Sequence, residues 1–324
     1  MTTMFLATAG GHLRQLDRLA TRIDGAADAL WVTNPDDQSR SLLEGRHVEY
    51  VPLVGPKDVV GVLRCLPHAH AAWRHHQITR AISTGSAIAL GYLPYLVARG
   101  VDCHYVESAT RVVGPSLTGR VLRRTPRVRL YAQYQNWARG PWAYAGNIFD
   151  GFRPTARPAI IGPELRVVVM LGIATGFPFG RLVRHLVPLL AADGPLSRAV
   201  RRPVTTVWQT GDTPVTAAPI RAVPTVPASE LDGLLGTADI VISHAGTGSA
   251  IAALEQGKRP ILAPREVGLG EIGDNHQTQL ADELDRRGLA LRRGADEIDV
   301  ADLLAALTVG VERAVDPPPF ELRS

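Results

Sequence analysis

Two short runs hold the residues best suited to chemistry: Ser243-His244-Ala245-Gly246-Thr247-Gly248-Ser249, and Asn275-His276-Gln277. The first follows Ala238-Asp239-Ile240-Val241-Ile242, short and β-branched as a buried strand should be. Its glycines allow a tight turn and a close backbone approach to a ligand. Ser249 to Glu255 reads as a helix that Gly257 ends. A glycine loop between a strand and a helix N-terminus aims unpaired N–H groups at one point. That makes an anion site, with phosphate the usual guest. The glycine loop alone also fits a plain strand-to-helix turn. Asn275 fits both a ligand contact and the N-cap of the following helix.

A second set lies near the start of the chain. Gly10-Gly11-His12 follows the expected first strand, Met4 to Ala9, and precedes a helix with Leu13, Leu16, Leu19 and Ile23 on one face. Tyr105-Val106-Glu107-Ser108-Ala109-Thr110-Arg111 follows another strand. There Glu107 is placed to assist a base, to bind acceptor hydroxyls, or to pair with Arg111. His68, His70, His75 and His76 cluster near Trp73, at spacings that match no standard zinc pattern. No Asp-x-Asp triplet occurs, so no metal and no cofactor is expected.

The elements that must position these residues alternate strand and helix, which means parallel sheets covered on both faces. Strands are expected at 29–33, 48–53, 102–106 and 127–132, then again at 166–171, 204–209, 238–243 and 260–264. Pro154, Pro158, Gly162 and Pro163 mark a linker in 150–165. The expected division is an N-terminal Rossmann-like domain, 1–155, and a C-terminal one, 156–324. Ligands in such sheets sit at the carboxyl ends of strands. Gly172, Gln209, Gly211, His244 and the Arg265 to His276 loop all fall there.

The 324 residues are 45% hydrophobic and 20% charged, a globular composition with room for two cores. Residues 1–160 hold 19 Arg+Lys against 11 Asp+Glu, whereas 161–324 hold 16 against 20. The basic half suits an anionic partner or a solvated basic face. Five arginines in Arg120 to Arg129, with the apolar stretch 53–66, suit an anionic membrane surface. Aromatic platforms among these basic residues are missing, so no nucleic-acid role is expected. Residues 81–98 carry no charge but include Ser83, Thr84 and Pro94, a poor membrane span and a fair buried segment. Cys65 and Cys103 form no motif and read as core residues of a reducing compartment. No secretory leader is expected.

Ala238 to Ser249, Gly257-Lys258-Arg259-Pro260, Asn275-His276-Gln277 and Gly288-Leu289-Ala290 together resemble the family 28 glycosyltransferase C-terminal domain. Gly10-Gly11-His12, Ser83-Thr84-Gly85 and Tyr105 to Arg111 resemble the acceptor-side subunit of the dolichol-linked N-acetylglucosaminyltransferase. Bacterial exopolysaccharide enzymes are built from the same two halves. The resemblance implies a GT-B fold, two Rossmann-like domains around a central cleft. It implies an inverting, metal-independent transferase at the inner face of the cell membrane, and other polysaccharide-pathway proteins as possible partners. The donor would be a UDP-sugar, held by Gly172, Gln209, Gly211, His244, Gly246, Thr247, Gly248, Ser249, Asn275, His276 and Gln277. The acceptor would be a polyprenyl-diphosphate-linked sugar, met by Gly10, Gly11, Ser108 and Arg111, with His12 as base and Glu107 beside it. A histidine suits that task because its unperturbed pKa is near ~6.5.

Two departures from the family pattern stand out. Ala252 occupies the position of a common ribose-gripping glutamate, with Glu255 three residues on. The loop Gly172 to Arg181 is one residue longer than usual. A UDP-sugar 2-epimerase and a non-catalytic nucleotide-sugar-binding subunit are the alternative readings.

Overall fold

The computed structural model describes residues 2–23, 28–55, 57–157, 162–173, 176–216 and 221–323. The chain divides into two compact units: Met1–Asp150 with Pro318–Ser324, and Gly151–Pro317.

Unit 1 contains strands β1 (Thr2–Ala7), β2 (Leu30–Thr33), β3 (Val48–Tyr50), β4 (Ile78–Gly85), β5 (Asp102–Val106), β6 (Val128–Ala132) and β7 (Trp142–Tyr144). They form one parallel sheet in the order β3-β2-β1-β4-β5-β6-β7. Helices α1 (Gly11–Ala20), α2 (Asp37–Leu42), α3 (Val59–His76), α4 (Ile88–Val97) and α5 (Leu117–Leu122) connect the strands. The order reverses between β1 and β4, so the crevice for a ligand opens at the carboxyl ends of those two strands. Leu13, Leu16 and Leu19 of α1 are fully buried, as their spacing requires. The uncharged segment 81–98 is the end of β4 followed by α4, which packs between α3 and the sheet. Among the described residues no helix is long and apolar enough to cross a membrane. Cys65 and Cys103 are buried free thiols, and burial pushes them up to about 11 and about 12.

Unit 2 contains β8 (Phe152–Ala156), β9 (Leu165–Met170), β10 (Val204–Gln209), β11 (Arg221–Val223), β12 (Ile240–Ser243), β13 (Ile261–Leu262), β14 (Leu291–Arg292) and β15 (Val309–Arg313). Six of these form a parallel sheet in the order β11-β10-β9-β12-β13-β14, and β8 pairs antiparallel with β15. Helices α6 (Gly180–Leu189), α7 (Pro195–Val200), α8 (Ala228–Thr237), α9 (Thr247–Glu255), α10 (His276–Arg286) and α11 (Val300–Ala306) complete it. The runs Val167-Val168-Val169-Met170 and Ile240-Val241-Ile242 are buried on both faces, as central parallel strands are. Here the order reverses between β9 and β12.

Two details differ from the sequence reading. Part of the Pro/Gly-rich segment 150–165 is strand: Pro154 sits in β8, a lone pairing with β15 that leaves its other edge open, where a missing N–H is tolerated. Residues 158–161 of that segment lie outside the described residues. The last residues pack on unit 1 rather than staying with the C-terminal half. Glu321 N–H donates to Ala145 O at 2.9 Å, Arg323 N–H donates to Tyr131 Oη at 3.0 Å, and Phe320 is buried beneath the Arg22 guanidinium.

Candidate active site

In unit 1 the turn after β1 brings His12 to the carboxyl end of β4. His12 Nδ1 lies 2.7 Å from the Thr84 carbonyl oxygen, and Thr84 Oγ1 donates back to His12 O at 2.8 Å. A carbonyl can only accept, so Nδ1 carries the proton and Nε2 is the basic nitrogen. That is the tautomer a general base needs. Gly85, at φ +99°, is required here. A Cβ on it would lie 3.3 Å from the His12 ring and 3.5 Å from Tyr105 Oη. Gly10 has φ +85° and makes no side-chain cap, and Gly11 opens α1.

Glu107 is placed differently from the expectation that it assists His12, whose Nδ1 belongs to Thr84. Its carboxylate is fully buried and takes four donors. Tyr105 Oη and Ser108 N–H reach Oε1, each at 3.1 Å. Ser116 N–H and Oγ reach Oε2 at 2.8 and 2.9 Å. Burial raises its pKa, while the Ser116 and Ser108 bonds and, least, the Arg111 charge oppose the rise. A carboxylate with that many protein donors organises its loop. The loop backbone is pinned by side chains the sequence reading did not single out. Gln15 Oε1 accepts from Ala109 N at 2.7 Å, Tyr134 Oη donates to Ala109 O at 2.6 Å, and Trp137 Nε1 donates to Arg111 O at 2.9 Å. Ser108 Oγ and Thr110 Oγ1 pair at 3.0 Å. Ser108 and Arg111 therefore stand on a backbone fixed in advance of any ligand.

In unit 2 the loops after β9 and β12 meet at the strand-order reversal. His244 is buried, with Nδ1 donating to Met170 O at 3.1 Å. Its Nε2 would lie 2.8 Å from a Cβ on Gly172 and 2.3 Å from one on Gly246. Both glycines are thus needed because the imidazole fills the space a side chain would take. Burial, then the charges of Arg265 and His276, pull the His244 pKa down to about 3, so the ring is neutral. Helix α9 begins at Thr247, two residues before the expected start. The N–H groups of Thr247, Gly248 and Ser249 therefore lie in its first turn, where no intrahelical acceptor exists. Gly246, the N-cap, contributes no side chain to satisfy them.

Gly211, at φ +55°, fits against Gly172: a Cβ would fall 2.2 Å from Gly172 O. Gln209 is buried, and its Oε1 accepts from Val226 N at 3.1 Å. Gly176 N–H donates to Asp212 Oδ2 at 2.7 Å, but residues 174–175 of the lengthened loop lie outside the described residues. Gln277 is buried, with Oε1 accepting from Arg265 N at 3.0 Å. Its amide nitrogen is the end left for donating. Asn275 occupies the N-cap position of α10 but makes no side-chain cap. It lines a cavity of about 400 Å³ with Pro264, Glu266, Gly268, Thr278 and Gln279. Asp274 Oδ1 accepts from both the His276 N–H, at 3.1 Å, and Nδ1 of the ring.

Two arginines frame this region. Arg265 is buried, bonded to Leu171 O, with its guanidinium 5.0 Å from the Phe179 ring centroid. Burial lowers its pKa to about 10, against the pull of Glu271. Arg181 bridges Glu271 at 3.1 and 3.0 Å, Glu266 at 2.8 Å and Asp296 at 3.0 Å, tying α6 to the turn that borders the cavity. A charged residue directly after a strand-ending proline was the one hint of Arg265 in the sequence. Ala252, the departure at the ribose position, is 1% exposed in a core with Val168, Met170, Val226 and Leu235. It faces apolar packing rather than a ligand, and Glu255 is half-buried on the next turn. The histidines of α3 take separate partners: His70 bonds Tyr95 Oη at 2.6 Å and His76 bonds Glu49 at 2.7 Å.

Residues 167–308 match the glycosyltransferase family 28 C-terminal domain. The domain covers the β9–α11 part of unit 2, including both loops at its strand-order reversal. The UDP-N-acetylglucosamine transferase subunit ALG13 of Yarrowia lipolytica is 43% identical over 58 residues, 18% of this chain and 28% of that protein. The same subunit from Eremothecium gossypii is 37% identical over 92 residues, 28% and 42% of the two chains. The chain thus spans less than half the length of these curated relatives. Among solved structures, the glycosyltransferase SnogD from Streptomyces nogalater superposes with a TM-score of 0.57 at 17% identity, over 95% of this chain and 90% of that one. MurG of Acinetobacter baumannii gives 0.55 at 16%, over 94% and 89%. The fold is therefore that of the GT-B glycosyltransferases.

Proposed function

We propose that this protein is an inverting, metal-independent glycosyltransferase. In this reading it moves a sugar from a UDP-sugar, of the UDP-N-acetylglucosamine or UDP-glucuronate type, to a polyprenyl-diphosphate-linked sugar. The observation that carries the reading is the first turn of α9, whose N–H groups have no intrahelical acceptor and no side-chain cap, beside a neutral His244 and inside the family 28 match. A helix N-terminus next to an uncharged ring favours a dianionic diphosphate without a cation. The ALG13 relatives favour uridine and N-acetylglucosamine.

His12 Nε2 takes the proton of the acceptor hydroxyl. The oxygen attacks the anomeric carbon, the bond from that carbon to the diphosphate oxygen breaks, and one displacement inverts the centre. The N–H groups of Thr247, Gly248 and Ser249, with the two hydroxyls, receive the charge that develops on the leaving diphosphate. Gln277 donates to the sugar, and Gln209 and Gly211 border the nucleoside. With Ala252 in the core, the ribose grip falls to other groups, Glu255 among them.

In unit 1, Gly10 and Gly11 leave the backbone open to the acceptor's diphosphate, and Ser108 and Arg111 sit on the braced loop. Leu53, Val59, Val60 and Leu63 are more than half exposed, and Arg120, Arg123 and Arg124 line a second cavity of about 350 Å³. Apolar side chains beside arginines suit peripheral binding to an anionic membrane, at the cytoplasmic face in this reading.

Thermal unfolding with UDP-, GDP- and dTDP-sugars, with and without EDTA, tests the proposal. A ligand held only by the folded state at a hundred times its Kd adds about 2.7 kcal/mol. An EDTA-insensitive rise in Tm with a UDP-sugar is expected, and no rise with any of them would reject the donor site.

A further inference from the structure

We infer that Gln133 is a positioning residue for the acceptor: its buried amide fixes the loop on which Ser108 and Arg111 stand. This rests on the acceptor site proposed above and deepens it, by naming what holds that site in place.

The paired backbone of unit 1 ends where the site begins. Glu107 N–H donates to Tyr131 O at 2.9 Å, and beyond it the chains leaving β5, β6 and β7 are no longer strands. Gln133, directly after β6, continues the tie with its side chain. Nε2 donates to Glu107 O at 2.9 Å, and Oε1 accepts from Ile148 N at 3.0 Å. A carbonyl only accepts and a backbone N–H only donates, so its partners assign both ends of the amide. Asn147 holds Gln133 in turn. Its Nδ2 donates to Gln133 O at 2.7 Å, while its Oδ1 accepts from Phe149 N at 2.8 Å. Gln133 is 1% exposed and Asn147 is fully buried.

The consequence falls on one peptide unit. Glu107 C=O and Ser108 N–H lie in the same plane. Gln133 holds its oxygen edge, and Glu107 Oε1 holds its N–H edge at 3.1 Å. The plane that sets the direction of Ser108 is thus clamped on both sides. Loss of the Gln133 amide frees one side and leaves the Glu107 carbonyl and the Ile148 N–H without that partner. The acceptor must then order the loop itself, which lowers its affinity while the donor site in unit 2 is untouched.

The test measures acceptor KM, kcat and donor Kd on the whole chain. The probes are N-acetylglucosamine and glucose linked to farnesyl diphosphate, with UDP-N-acetylglucosamine or UDP-glucuronate as donor. Gln133→Met fills the space but makes neither bond. Acceptor KM should rise about tenfold or more, with kcat and donor Kd within about twofold of wild type. Gln133→Glu separates bonding from packing. A neutral carboxyl there can donate to Glu107 O and accept from Ile148 N, whereas a carboxylate cannot donate. Burial and the Glu107 and Asp150 carboxylates favour the neutral form, and the Arg22 guanidinium at Asn147 O opposes it. Its acceptor KM, divided by the wild-type value at the same pH, should approach one at about pH 5.5 and climb towards the Gln133→Met ratio as pH rises. Arg111→Ala should cost less in the Gln133→Met background than in the wild type, because both act through one loop.

Acceptor KM and donor Kd weakened together by Gln133→Met would mean general loosening and overturn the inference. So would a Gln133→Glu ratio that stays raised at low pH, or full additivity of Gln133→Met with Arg111→Ala. A wild-type chain that transfers to neither probe rejects the acceptor site and this inference with it, and that failure is visible before any variant is made.

Discussion

His244 should make the stability of unit 2 fall as pH drops from 7 to 5. The buried ring donates Nδ1–H to Met170 O and has Gly172 and Gly246 against its other edge, so it cannot take a second proton without losing solvation. Its pKa lies at about 3, depressed first by burial and then by the charges of Arg265 and His276. Because the folded value is depressed, the stability it contributes is fully present above ~6.5, the unfolded value. It drains away as pH falls from there, because the unfolded chain takes up a proton that the folded chain refuses until about 3. At 1.36 kcal/mol per pH unit, the loss is about 2 kcal/mol between pH 7 and 5 and about 5 kcal/mol over the whole window. A chain of two units does not unfold in one step, so the measurement should be local. Hydrogen exchange on peptides spanning Leu165–Met170 and Ile240–Ser243, corrected for the intrinsic pH dependence, gives the opening free energy of the strands that hold the ring. His244→Asn keeps an N–H for Met170 O but does not titrate. It should be less stable at pH 7 and lack the wild-type decline of about 2 kcal/mol towards pH 5. Parallel pH profiles for wild type and variant would refute the reasoning.

Gly246→Ala should cost about 1–3 kcal/mol by overpacking, since its φ of −78° suits alanine and the nearest atoms to an added Cβ are those of the His244 ring. Combined with His244→Ala the cost should vanish, and a double-mutant cycle in exchange protection that gives plain additivity would count against the packing account. His12→Ala should keep donor affinity and lose turnover by roughly 10²–10⁴-fold, the usual worth of a general base; a lesser loss removes it from that role. Replacing Arg120, Arg123 and Arg124 together by glutamate should abolish sedimentation with vesicles containing phosphatidylglycerol, while Tm stays within a few degrees because all three are exposed. Unchanged vesicle binding would move the membrane surface elsewhere.

Much of this was written in local order along the chain. Strands β1 and β9, the helix with Leu13, Leu16 and Leu19, and the strand before His244 were legible because hydrophobic period and glycine placement are short-range signals. Strand β4 was not read as a strand. It ends in Ser83-Thr84-Gly85, polar residues that look like a turn until Thr84 is seen holding His12 across the sheet. The start of α9 was also misplaced by two residues, since Thr247 and Gly248 are weak helix formers kept there by the fold.

By itself, then, the sequence determined which residues were available for chemistry, the alternation that makes two parallel sheets, and the excess of arginine in the first half. Tertiary structure decided what each polar group faces. It gave Nδ1 of His12 to a carbonyl from a strand 72 residues away, and surrounded Glu107, the carboxylate expected to assist His12, with four donors from its own loop and strand. It also buried Ala252 among Val168, Met170 and Val226, and brought Arg265 and Arg181 to the loops around the cavity. The reason is physical. Strand and helix periodicity are properties of adjacent residues, whereas tautomer, protonation and burial are set by partners that only a folded sheet order brings within hydrogen-bonding distance.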